Sequence, residues 1–130
     1  MESQEPNQPI QSFRDLIVWQ RARELANASK ALCDRFPRSA LFALRDQILR
    51  ACASISGNIV EGRGRLSKAD NVRHLCIARG SLNELESHVV LASDWEYVSF
   101  ESTSDVRSLA SEVGRMLNAQ IRKLGNRRLG

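Results

Sequence analysis

Apolar residues recur at intervals of three and four along four stretches of this chain, and between the stretches the period breaks at proline, glycine or serine. From Phe13 to Phe36, Val18, Ala22, Leu25 and Leu32 keep helical spacing beside Trp19, Ala26 and Cys33, and Pro37 ends the run. A second helix is predicted from a Ser39 cap through Leu41, Leu44, Ile48, Cys52, Ile55 and Ile59, stopping at Gly62 and Gly64. The third has the clearest period: Leu75, Ala78, Leu82, Leu85, Val89 and Ala92 step by three and four in turn, the spacing of a near-parallel packed seam. Ser67, with Asp70 three residues on, resembles a capping box at its start. Ser102 or Ser104 opens a fourth helix, with Val106, Leu109, Val113, Met116, Leu117, Ile121 and Leu124 on one face, ending at Gly125.

Long amphipathic helices joined by short loops pack as antiparallel neighbours, so the pattern predicts an all-α, up-down-up-down four-helix bundle. It places a loose arm at 1–12, the bundle at 13–124 and a basic tail at 125–130, with Trp95, Tyr97 and Phe100 closing one end of the core. In this topology the loop between the second and third helices shares an end with the C-terminus. Arg63, Arg65, Lys68 and Arg73 then join Arg122, Lys123, Arg127 and Arg128, while Asp94, Glu96, Glu101 and Asp105 gather at the other end, making a bipolar rod.

Composition narrows the classes. A 130-residue chain that is 42% hydrophobic is enough for one domain with a real core. No apolar run is long enough to span a membrane and the opening residues do not form a signal peptide, so a cytoplasmic location is expected. Cys33, Cys52 and Cys76 are odd in number and lie within helical patterns, which reads as reduced, partly buried thiols. Nineteen Lys and Arg against fifteen Asp and Glu give a net charge of +4, and the predominance of arginine suits a phosphate-bearing partner.

Two polar segments interrupt the helical pattern: SISGNIVEGRGR, from Ser54 to Arg65, and IARGSLNELE, from Ile77 to Glu86. Gly57, Asn58, Gly80 and Ser81 weaken a helix, so a compensating close contact is expected, with Gly80 and Ser81 set against Arg50, Ala51 and Ala53. Gln47, Arg50, Ser54, Asn58 and Glu61, with Ser81 and Glu84, form a candidate structural hydrogen-bond network. The glycines beside Arg63 and Arg65 also suggest an anion site before a helix N-terminus, but neither a dinucleotide fold nor a P-loop is present. His74 and His88 stand about 21 Å apart on one helix, too far to share a metal, and read as surface or interface residues. No catalytic group, metal site or cofactor is expected.

The segments FRDLIVWQRA, RDQILRACASISGNIVEGRGR and IARGSLNELE together resemble the four-helix-bundle proteins encoded by intervening sequences of bacterial 23S rRNA genes. Matching positions are Asp15, Leu16, Val18, Trp19, Gln20 and Ala22; Gln47; Ser54, Ile55, Asn58, Ile59, Glu61 and Gly62; and Ala78 to Leu82, Glu84 and Leu85. Ser56, Gly57 and Val60 depart from that pattern, where Pro, Ser and Ala are usual. The resemblance implies a homo-oligomeric ring, typically a pentamer, without established enzymatic activity. It also implies a distant similarity to the accessory variability determinant of diversity-generating retroelements, which binds a reverse transcriptase and nucleic acid. The expected function is therefore non-enzymatic binding of RNA or DNA through a basic surface; the alternative is an assembly or adaptor module with a protein partner and no direct nucleic-acid role.

Overall fold

The computed structural model describes residues 12–129, with the side chains of residues 41, 42 and 126–129 outside that description. The predicted 1–12 arm therefore lies, apart from Ser12, outside the described residues. Four long helices make up the fold: α1 (Ile17–Cys33), α2 (Asp46–Arg63), α3 (Lys68–Asp94) and α4 (Ser104–Leu129). Each packs on the next and α4 closes on α1, which gives the expected up-down-up-down bundle. No strand occurs among the described residues.

Side-chain bonds between neighbours fix the antiparallel registers. Ser54 meets Ser81 and Asn58 meets His74 across α2 and α3, Arg79 reaches Asn118 across α3 and α4, and Arg21 reaches Glu112 across α1 and α4. The Arg21–Glu112 ion pair is half exposed, so it sets register more than stability.

Every seam residue predicted on α3 is buried, and Leu82 and Leu85 belong to one buried cluster with Leu25, Ile48, Ile55, Val113 and Leu117. Truncating one such leucine to alanine should cost about 2–5 kcal/mol. Cys33 and Cys52 are buried free thiols and Cys76 is half-buried. Burial pushes the Cys33 thiol up to about 11 and raises that of Cys52 as well.

Helix boundaries follow local chemistry more closely than the apolar period. Ser67 caps α3 by accepting from the Asp70 N–H at 3.1 Å. A reciprocal capping box of Ser12 and Asp15 starts a short 3-10 turn before α1. Helix α1 stops at Cys33 rather than Phe36, because Arg35 and Phe36 close tighter bonds to Leu32 and Cys33. Ser39 caps no helix among the described residues: it lies in a 3-10 turn, Arg38–Ala40, followed by a wider π turn, Leu41–Arg45, that runs directly into α2. Gly125 does not end α4, whose backbone stays helical to Leu129. At the α3 C-terminus, Glu96 has φ 62° and the Tyr97 N–H bonds back to the Ala92 carbonyl. That is a Schellman turn with glutamate where glycine is usual.

The aromatic cap of the core is smaller than expected. Tyr97 packs on Phe36 at 5.5 Å between ring centres, and Val98 is buried. Trp95 and Phe100 instead remain 50% and 58% exposed.

Candidate functional site

The polar segments of α2 and α3 meet along the groove between the two helices. Ser54 and Ser81 share a hydroxyl–hydroxyl bond of 2.7 Å. Asn58, one turn along α2, donates to the Ser54 carbonyl at 2.8 Å and to its hydroxyl at 3.2 Å. With its amide so used, Asn58 presents Oδ1 to His74, whose Nδ1 lies 2.9 Å away and must donate. The remaining ring nitrogen of His74 then faces the Arg73 guanidinium at 3.4 Å. Ser81, Ser54, Asn58 and His74 thus form one continuous chain in which each partner satisfies the next.

The chain differs from the predicted network in membership. Gln47 and Arg50 are exposed and make no side-chain hydrogen bond among the described residues. Glu61 turns to Arg65 at 2.8 Å, and Glu84 turns to His88 at 3.4 Å along its own helix rather than reaching Gln47 or Arg50. His74 is the member missed by sequence reasoning, which took it for a surface or interface residue; it is only 7% exposed. Its position carried the signal: it falls four residues before Ala78 and seven before Ser81, on the stripe that faces α2.

The glycines also exchange roles. A Cβ at Gly62 would lie 2.8 Å from the Asn71 side-chain oxygen, 3.0 Å from His74 Cβ and 3.2 Å from the Asn71 carbonyl, so this glycine permits the close approach of α2 and α3. Gly57 and Gly80, expected at a tight crossing, have nothing within 4 Å of an added Cβ. Their sides of the two helices are open.

Above the polar chain, at the α2–α3 end, Arg63, Lys68 and Arg73 are exposed, and Arg65 is held by Glu61. The Arg79–Asn118 pairing carries Arg122 and Lys123, both exposed, toward the same end. The side chains of Arg127 and Arg128 lie outside the described residues. The opposite end is not purely acidic, however. Asp94, Glu96, Glu101 and Asp105 are exposed there, but Arg35, Arg38, Arg45 and Arg107 share that end and Arg45 pairs with Asp34 at 3.6 Å. The bipolar rod reduces to one basic end and one mixed end.

Among the described residues no group of three or more His, Cys, Asp or Glu is placed to hold a metal, and no helix is long and apolar enough to cross a membrane. The polar chain is built from short side chains that bond one another inward, which suits alignment of α2 on α3. The basic end is built from long side chains directed to solvent, which suits anions.

Comparison with known proteins agrees with this geometry. Residues 14–119 match the family model described as 23S rRNA-intervening sequence protein. No curated protein matches the chain. A crystal structure of a protein of unknown function from the S23 ribosomal protein family of Bacteroides thetaiotaomicron is similar over 82% of this chain and 99% of its own, with 28% identity and a TM-score of 0.76. The aligned helices and the family match over most of the bundle place this chain in the 23S rRNA-intervening sequence protein family.

Proposed function

We propose that the protein is a non-enzymatic, ring-forming bundle, pentameric by preference, that binds RNA or DNA through phosphate contacts at its basic end in the cytoplasm. The observation that carries this reading is the group of exposed cations Arg63, Lys68, Arg73, Arg122 and Lys123 gathered where α2 turns into α3 and α4 finishes. Such a surface attracts a polyanion without reading its sequence. A ring would repeat the patch around one axis, so that weak contacts by single subunits add along one strand.

The open side of α2 and α3 supports assembly. Ala53, Gly57, Ile77 and Gly80 are exposed there at facing levels of the two helices, and Arg50 and Glu84 flank them with opposite charges. Small and apolar at the centre with charges at the margin is the composition of a helix-packing interface. The same face favours the second reading, an adaptor whose arginines serve subunit or protein contacts.

Titration of fluorescent structured RNA and duplex DNA, together with light scattering, tests both. Binding at low salt that weakens steeply as salt rises supports the proposal; no binding of either at low salt overturns it. Charge reversal at Arg63, Lys68, Arg73 and Lys123 should abolish binding and leave the assembly mass unchanged, whereas loss of assembly favours the adaptor reading.

A further inference from the structure

At the mixed end, remote from the basic patch, α3, α4 and the turn between them line an apolar groove of about 160 Å³. Val90, Phe100, Val106 and Ala110 supply its apolar wall, and Val90 and Phe100 are 54% and 58% exposed. Glu86 and Asp94 stand on the α3 side, about two turns apart. Arg107 also lines the groove, but its guanidinium is stacked 4.1 Å over Phe100 and donates to Thr103 at 3.0 Å. The aromatic ring is thereby held in place.

The α3 C-terminus beside this groove is built against the usual rules of helix stability. Asp94 and Glu96 place carboxylates where the helix dipole is already negative, and the last turn holds no basic residue. Glu96 occupies the left-handed position that glycine normally fills, and Trp95 beside it is 50% exposed. Local choices that oppose stability, next to an open apolar groove, mark a surface shaped for a partner.

We propose that this groove docks a basic amphipathic helix of a partner protein. One apolar face of that helix enters between Val90 and Phe100, and lysines or arginines on its flanks meet Glu86 and Asp94. Two carboxylates stand against the one guanidinium of Arg107, which is engaged by Phe100 and Thr103, and this balance selects a basic helix over an acidic one. The site is independent of phosphate binding, because none of the basic-end residues takes part.

The test uses a fluorescein-labelled helical peptide of leucine and lysine, with leucines three and four apart, and a matching leucine and glutamate peptide. Anisotropy at low salt should show saturable binding of the lysine peptide and at least tenfold weaker binding of the glutamate peptide. Glu86→Gln with Asp94→Asn, both surface changes, should weaken binding at least fivefold with no fall in melting temperature. Amide shifts should centre on Val90, Phe100 and Val106. No binding, equal binding of the two peptides, an unaffected double variant, or shifts centred elsewhere would overturn the proposal. A fall in assembly mass in Val90→Asp would also overturn it, by showing that a second copy of the chain covers the groove.

Discussion

Alanine substitution at Gly62 and at Gly57 should have opposite effects, although both residues lie in α2 and both are glycines. At Gly62 the new methyl would sit 3.0 Å from His74 Cβ and 3.2 Å from the Asn71 backbone carbonyl, contacts that neither atom can relieve by rotating a side chain. Overpacking of this kind costs about 1–3 kcal/mol. Better helix propensity returns less than the mid-helix value of about 1 kcal/mol, because Gly62 is the penultimate residue of α2. The net expectation is a loss of about 1–2 kcal/mol. Gly57 sits mid-helix with nothing within 4 Å in the single subunit, so Gly57→Ala should stabilise the unassembled subunit by up to about 1 kcal/mol. The two variants are then separated by roughly 2 kcal/mol, readily resolved in urea denaturation followed by far-UV circular dichroism, with unchanged m-values. Gly62→Ala proving neutral or stabilising would refute the close α2–α3 approach as the reason for that glycine.

Asn58→Ala removes the acceptor of His74 and the donor to Ser54, and should destabilise the bundle by about 1–3 kcal/mol in the same denaturation assay. Glu96→Gly relieves a left-handed non-glycine residue and should stabilise by about 1 kcal/mol, seen as a higher urea midpoint. The Cys33 thiol, raised from 9.0 to about 11 by burial, keeps its proton in the folded state where the unfolded chain loses it. Stability from this group is complete below about pH 9 and declines as the pH rises toward 11, so the urea midpoint should fall over that interval and Cys33→Ala should flatten the fall.

The bundle was legible in the sequence because its helices bury strict stripes: the three-and-four stepping from Leu75 to Ala92 names the α3 core position by position. Ser67 was equally legible, since a serine three residues before a helical aspartate has one obvious use. Less was readable where a residue's partner lies on another helix. Gly57, Gly62 and Gly80 carry the same sequence signal, yet only the packing of Asn71 and His74 separates the constrained one from the open ones. His74 looked like a surface residue until its place opposite Asn58 was known. The π turn at Leu41–Arg45 was hidden because its apolar residues continue the helical spacing. Gly125 read as a stop, but a glycine ends a helix only where the chain must turn, and α4 has no following element within the described residues. The charge asymmetry fails at one end because Arg35, Arg38, Arg45 and Arg107, scattered along the sequence, are brought by the fold to the end that holds the acids.

Salt dependence of nucleic-acid binding, compared between the native protein and the variant Arg63→Glu, Arg73→Glu, Lys123→Glu, tests the proposed function most directly. Engagement of Arg63, Lys68, Arg73, Arg122 and Lys123 with duplex DNA predicts a log–log slope of roughly −4.5 per bound subunit, a loss of roughly 500-fold in affinity between about 50 and 200 mM salt. The triple variant should fold and assemble as before while losing low-salt binding and most of that slope. Native protein that binds neither RNA nor DNA at low salt, or a variant that binds with an undiminished slope, would contradict the assignment of the basic end.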